Sequence, residues 1–524
     1  MNYSKSNLIS LRGLVVFFAL FNLLVSACQK DSASNKIQET VVKVNMSGVG
    51  NNVDIATKSS TSARRSSGTE TTIIPFNDEY SIVASAKTVG SSTINTTGSG
   101  NKAAVTEQVT ALKTGTQYTI AVYSSAGAYV THQSFTYTSG QTPQFTLPPA
   151  NYTFVVVASG NNTLPSINFN QALSAINWNV PTASMDVMYF KQALNVQEGA
   201  ANILDVILKH KFTEVKVTVD TKAIGTSQVA TGTVTPNFPS VTFALENGTI
   251  DYAGAGSSAN ASLTFPTTSG TELVSNPLLL LTQGQSGSIT VPVTINGTTK
   301  PVNHTRILAE GVSYEITLRI QRNGINIGGE TFSPGNLLYN PSTGEYSFAP
   351  SNGARGDYFF SNYVKAKLMN VGNIAPNSTD NGASGDPCAL VYPLDYWRLP
   401  TEAEANTLIN AITPPPTGGN WTPNPYQNNT LVDYFNGPTT DLGMFYGTQT
   451  HPASNNEAYL FLGLGGYYEN TDQSGTVGTQ GRFLLKSTTG YTSLLLTGTQ
   501  GTTGFTQIAS LNQNAAVQIR CIKK

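Results

Sequence analysis

Charge is what this chain of 524 residues has least of. Lysine and arginine number 29 and aspartate and glutamate 30, together 11% of the residues, for a formal net charge of -1. No basic block could neutralise a run of phosphates, so nucleic acid is excluded as an expected partner. Histidine is scarce too: His132, His210, His304 and His451 stand far apart, and neither CxxC nor HExxH occurs. A His/Cys metal cluster therefore has almost nothing to be built from, and no metal or cofactor is expected. The sustained apolar run from Leu14 to Val25 is short for a bilayer span, which needs about 20 residues. What is present is a large aromatic complement, 23 Tyr and 22 Phe, within a hydrophobic content of 39%. That content is somewhat below the usual ~45–50%, a norm that counts Gly where this figure counts Tyr, yet the rings supply large buried surfaces. Length predicts about three or four folded domains.

Lys5 and Arg12 ahead of the apolar run mark residues 1–27 as a signal peptide. The following Val25-Ser26-Ala27-Cys28 resembles the lipobox of bacterial lipoproteins, in which the cysteine is lipidated and becomes the first mature residue. The resemblance implies lipidation of Cys28 and contact with a membrane through that anchor; a plain signal peptide with a chance cysteine is the alternative. Gln29-Lys30-Asp31 is similar to the short charged signal that sends Bacteroidetes lipoproteins to the outer face of the outer membrane, which implies a cell-surface location. With Cys28 so assigned, Cys388 and Cys521 remain as an even pair in an exported compartment and are expected to be bonded, the alternative being two buried free thiols.

Residues 28–69 read as a polar segment with one strand, in which Val42, Val44 and Met46 fall on one face at period two. Beyond it, strand-like runs at 80–86, 117–123, 128–137 and 152–158 are each bounded by Gly, Ser, Asn or Pro, and predict a first β-sandwich over 70–185. A second sandwich is predicted over 186–325. Its clearest strand places Val215, Val217 and Val219 inward and Glu214, Lys216 and Thr218 in water. Further strands follow at 241–245, 262–265, 278–281, 288–295 and 314–321.

The lipobox, the polar segment, the first β-domain, and Leu208-Lys209-His210-Lys211-Phe212 leading into Val215-Lys216-Val217-Thr218-Val219 are together similar to the fimbrillin family of Bacteroidetes. Members of that family build pili from two tandem transthyretin-like β-sandwiches, and the resemblance covers 28 to about 325. It implies other pilin subunits as partners, joined by strand complementation. In such proteins a trypsin-like protease cuts after an arginine in a setting like that of Arg64-Arg65, releasing the first strand; the alternative is that Arg64 and Arg65 are solvated linker residues. Because Ile519-Arg520-Cys521 lies inside the last domain, the expectation is a subunit that accepts a strand but caps the polymer, a tip or minor fimbrillin.

Residues 326–524 differ in kind. Thr401 after Pro400 can cap a helix with Glu404 at capping-box spacing, and Glu402 and Glu404 sit where the helix dipole favours negative charge, predicting a helix to about Ile412. The combination WRLPT-x-x-E, an aromatic-glycine middle and a terminal V-x-I-R-C is similar to the Fibrobacter succinogenes major paralogous domain. That domain belongs with the C-type-lectin-like and formylglycine-enzyme-like folds. The implied fold is mainly β, two tandem β-sandwiches followed by an α+β C-type-lectin-like domain. Formylglycine chemistry uses a cysteine pair near the end of this fold, where only Cys521 stands, and the carboxylates Glu402 and Glu404 have a structural role, so no enzymatic activity is expected. The calcium-site motifs E-P-N or Q-P-D with W-N-D are absent. Binding would then fall to aromatic platforms, for which Trp421, Tyr426, Tyr467 and Tyr468 are the candidates; the alternative is that they fill the core or brace loops. The expected function is a surface pilus component whose C-terminal domain adheres to a host or bacterial glycan or protein. The alternative is a non-polymerising surface lipoprotein that binds such a ligand.

Overall fold

The computed structural model describes residues 39–50, 70–89, 109–160, 166–180, 185–350, 352–367, 382–410, 428–433, 442–447, 459–469, 472–473, 476–487, 490, 492–498 and 505–524. Cys28, Arg64, Arg65, Trp421 and Tyr426, singled out from sequence, lie outside these residues, as does the signal peptide. The chain is mainly β.

Six strands fix the architecture of residues 39–322: β1 (Thr40–Gly50), β2 (Glu70–Pro75), β3 (Tyr80–Thr88), β4 (Asn202–His210), β5 (Thr213–Asp220) and β6 (Ser313–Arg322). β1 alternates as expected, with Val42, Val44 and Met46 buried while Val41, Lys43 and Asn45 face out. It joins an eight-stranded sheet, running parallel to β4, which is followed by Val187–Val196, Ala150–Ser159, Gln117–Ser124 and Tyr129–Thr136. One face of this sheet encloses Val42, Val44, Leu204, Val206, Ile120, Val122, Phe154 and Val156. Its other face presents Ala121, Tyr123, Val155 and Val157 to a three-stranded sheet made by Asn177–Val180, Val241–Ala244 and Thr249–Asp251. Strands covered on both sides lose the alternating pattern, which is why Phe154-Val155-Val156-Val157 reads as an unbroken apolar run.

The second sandwich packs a six-stranded sheet containing β5, β6, β3 and β2 against a five-stranded sheet built on Ser286–Ile295. Val215, Val217, Val219, Ile316, Leu318 and Ile82 meet Val234, Leu263, Ile289, Val291 and Val293 across one core.

The expected boundary at 185/186 does not divide the molecule this way. β2 and β3, assigned from sequence to the first sandwich, belong to the second, where β3 pairs antiparallel with β6 from Tyr80↔Arg322 to Thr88↔Tyr314. Conversely Val187–Val196 and β4 complete the first sheet. Periodicity tells which side of a strand is buried, not which strand lies beside it, so Ile82, Ala84 and Ala86 fit either sandwich equally well on pattern alone. The chain thus passes between the eight-stranded sheet and the second sandwich three times, after β1, after β3 and at Lys211-Phe212, and Val241–Ala244 and Thr249–Asp251 make a further excursion to the face of the eight-stranded sheet.

The third unit begins at strand Ile325–Ile327, which joins Glu330–Phe332, Ile522–Lys523 and Trp397–Arg398 in a four-stranded sheet. Helix α1 (Glu402–Asn410) buries Ala405 and Leu408 against Phe332, Leu462, Phe483, Leu485 and Leu494. Its expected extension to Ile412 falls outside the described residues. Cys388 and Cys521 are bonded, with Cα atoms 5.8 Å apart, as the cysteine count predicted. Among the described residues no helix is long and apolar enough to cross a membrane.

Candidate functional site

β1 is the element on which a function by strand exchange would turn. On one side it pairs with β4; on the other, Thr40 to Lys43 pair with strand Gln144–Leu147 and Val49 and Gly50 with Val109–Thr110. The strand is therefore hydrogen-bonded along both edges. Asn45 Nδ2 donates to Asp205 Oδ1 at 2.8 Å, and Thr110 Oγ1 donates to the Val49 carbonyl at 3.2 Å. The register slips between Met46 and Gly48, where φ is +141°. A Cβ at Gly48 would stand 2.3 Å from the Thr110 carbonyl oxygen, so only glycine passes this irregularity. Val42, Val44, Met46 and Val49 are all buried. At ~1.5–3 kcal/mol for each fully buried apolar side chain, these four contribute on the order of 6–12 kcal/mol of gross burial.

In the third unit the opening of α1 is a structural node. Thr401 N donates to Glu404 Oε2 at 2.8 Å and Glu404 N donates to Thr401 Oγ1 at 3.3 Å, both halves of the capping box. Both Arg398 Nη atoms donate to the Glu404 carboxylate, one at 2.8 Å. This fork of bonds, with the Thr401 donors, holds the Glu404 carboxyl down at about 2. Asp386 Oδ2 accepts from Leu399 N at 2.8 Å and its Oδ1 from Cys388 N at 2.9 Å, which fixes the disulfide beside Trp397, while burial pushes the Asp386 carboxyl up. Arg520, buried, donates to the carbonyls of Ser333 (3.0 Å), Asn352 (2.6 Å) and Phe461 (2.8 Å) and so ties three segments to the last strands. Glu404, Asp386 and Arg520 are thereby occupied in holding the fold. Asp386 and Arg520 were not singled out from sequence in this role, because their partners are backbone groups remote in the chain.

The two described tyrosine candidates do not form a shared platform. Tyr468 is 8% exposed, its ring edge-to-face with Tyr358 at 4.8 Å and with Lys367 Nζ 4.3 Å from its centroid. It is a core residue, the alternative left open for these rings, and not a surface platform. Tyr467 is half-buried, packs against the cluster containing Trp397, and carries the Arg482 guanidinium 4.7 Å from its ring centroid. Extended backbone sends neighbouring side chains to opposite sides, which separates the pair. Aromatic surface does gather elsewhere. Tyr339 and Tyr346 lie 5.0 Å apart, and Phe348 and Tyr396 flank Trp397 at 5.2 and 5.3 Å, beside the exposed Leu394. Nothing in the order of residues marks this grouping, since 339–348 and 390–397 meet only in the fold. Among the described residues no group of three or more His, Cys, Asp or Glu is placed to hold a metal ion.

No protein-family model and no curated protein matches the sequence. Solved structures do resemble parts of the chain. A candidate cell adhesion protein from Bacteroides fragilis matches at 13% identity and TM-score 0.29, over 45% of this chain and 93% of that one. Another from Bacteroides uniformis matches at 14% identity and TM-score 0.27, over 40% and 92%. The fimbrial anchor protein Mfa2 from Porphyromonas gingivalis matches at 12% identity and TM-score 0.24, over 37% and 74%. At these TM-scores the likeness carries no functional weight.

Proposed function

We propose that this chain is a lipid-anchored cell-surface component of an adhesive pilus, a tip or minor fimbrillin, whose first sandwich accepts a strand from a neighbouring subunit in place of β1 and whose third unit, a C-type-lectin-like domain, is the adhesive end. The observation that supports it is the seat of β1. The first described strand, with Val42 and Val44 fully buried, fills a slot flanked by paired strands on both sides, and its next connection, residues 51–69, contains Arg64-Arg65. Removing that strand would leave a row of unpaired backbone groups beside an open core, a surface strongly driven to acquire another strand. Residues 515–523 are themselves paired within the third unit and so are not offered as a donor strand.

In the intact chain the slot is filled, and that observation favours a second reading, a surface lipoprotein that binds a glycan or protein ligand without polymerising. Filaments purified from the producing cell separate the two. Antibody against 326–524 marks filament ends on the first reading. Label along the shaft, or none on filaments, overturns the tip assignment. Palmitate labelling that is lost in Cys28→Ala supports the anchor, and equal labelling of both forms removes it.

A further inference from the structure

We infer that the third unit is clamped to the outer face of the second sandwich, with Arg319 as the pin, so that the two move as one rigid body instead of swinging about the short connector between them.

The outer face of the β5–β6–β3 sheet has two unlike ends. At one end Lys87 and Glu315 form an ion pair at 2.7 Å with side chains 65% and 37% exposed. At the other, Val83 and Ser81 are buried although they point away from the sandwich core, which takes Tyr80, Ile82 and Ala84 from the same strand. Arg319, its side chain about a third exposed, lies at this end, opposite Val83 in the pairing with β3 and opposite the buried Asp220 in the pairing with β5. Its Nε donates to Asp220 Oδ2 at 3.0 Å, and the centre of its guanidinium is 4.9 Å from the ring centroid of Tyr392. Tyr392 belongs to the third unit, in the loop between the disulfide cysteine Cys388 and Trp397. One planar cation thus bridges a carboxylate of the sandwich and a ring of the third unit, a pairing suited to guanidinium and not to ammonium.

The connector is held from both sides. Only Asn323 and Gly324 separate β6 from strand Ile325–Ile327. Asn323 N donates to the Glu79 carbonyl at 2.7 Å, and its Nδ2 donates to the carbonyls of Asn77 and Asp78 at 2.8 and 3.0 Å, fastening it to the turn between β2 and β3. A Cβ on Gly324 would stand 2.5 Å from Thr331 Cγ2 and 2.6 Å from the Phe332 carbonyl oxygen, both in the third unit. The backbone therefore enters the third unit already in contact with it. Because β6 pairs with β5 at seven positions and with β3 at nine, a tilt of the third unit is transmitted to the whole sheet.

Hydrogen exchange and small-angle X-ray scattering on the full chain test the clamp. For wild type, a single fixed arrangement of 213–524 should fit the scattering. Arg319→Ala should raise exchange about tenfold both in 319–327 and in the remote loop 387–396. Tyr392→Ala should do the same, and the double variant should add little to either single change. Arg319→Lys keeps the charge beside Asp220 but not the planar stack, and should loosen 387–396 while 213–220 stays protected, which covers the case in which Arg319→Ala unfolds the sheet. Lys87→Ala, at the open end of the same face, should change neither segment. Wild-type scattering that requires many orientations overturns the clamp, as does loosening confined to 319–322 in Arg319→Ala with 387–396 unchanged in every variant.

Discussion

The first sandwich and the third unit each bring an early strand against a late one, and they lock it differently. In the first sandwich β1 sits beside β4 by backbone pairing, apolar burial and side-chain hydrogen bonds such as that of Asn45 to Asp205 across 160 residues. In the third unit strand Ile522–Lys523 pairs with Glu330–Phe332 and Trp397–Arg398, and Cys521 next to it is tied covalently to Cys388, with the Arg398–Glu404 pair beside Trp397. β1 can leave its seat once the connecting chain is cut, whereas the last strands of the third unit stay tied to Cys388 until the disulfide is broken.

The sharpest way to break the comparison is to remove residues 39–50. Loss of roughly 6–12 kcal/mol of gross burial is comparable to the whole net stability of a domain, about 5–15 kcal/mol. The first sandwich should bind a hydrophobic dye and lose amide protection, while β5 and β6 and the third unit keep theirs; unchanged protection at 117–124 and 150–159 would refute the seat described for β1. Next in size is reduction of the disulfide. Its cysteines are 133 positions apart, and the chain-entropy model gives a loss of roughly 5 kcal/mol. Denaturant unfolding of the reduced protein should show the third unit melting first and the first sandwich unmoved. A smaller effect is expected for Gly48→Ala, which forces a Cβ toward the Thr110 carbonyl: about 2–3 kcal/mol, read as a lower midpoint for the first sandwich only.

The smallest concerns Glu404. Its carboxyl is held below its ordinary value by Arg398, so its contribution is present above the unfolded value near pH 4.3 and is lost as pH falls toward about 2. Glu404→Gln should cost about 1–2 kcal/mol at neutral pH and flatten the acid limb of the third unit's stability curve, leaving that of the first sandwich alone. An acid limb identical in both proteins would remove Glu404 from the lock.

How much of this could be read in advance depends on how local each cause is. The alternation of Val42, Val44 and Met46, that of Val215, Val217 and Val219, and the Thr401–Glu404 box are set by residues within one strand or one turn, and all were legible. The disulfide was legible from arithmetic, because two cysteines remained for one bond. The exchange of β2 and β3 for Val187–Val196 and β4 between sandwiches was not, since pairing partners are chosen by the closure of two sheets at once. Tyr467 and Tyr468 look alike in sequence. Only the position of Tyr358 and Lys367 on one side and Arg482 on the other shows that the first is half-buried and the second enclosed.

The repeated crossing of the chain between the sandwiches also sets a timetable. As the polypeptide is made, β1 meets only the short partners Val109–Thr110 and Gln144–Leu147 before its long partner β4 follows, and β3 waits longer still for β6, Ser81 meeting Gln321 only 240 residues on. Long separations of this kind slow folding, because the loop must be closed before the contact repays it. For most of synthesis the first two strand-forming segments are bare apolar edges, vulnerable to pairing with the wrong chain. The order of strands in this fold therefore predicts a slow final step, in which β1 and the β2–β3 hairpin dock last onto sheets that were completed after them.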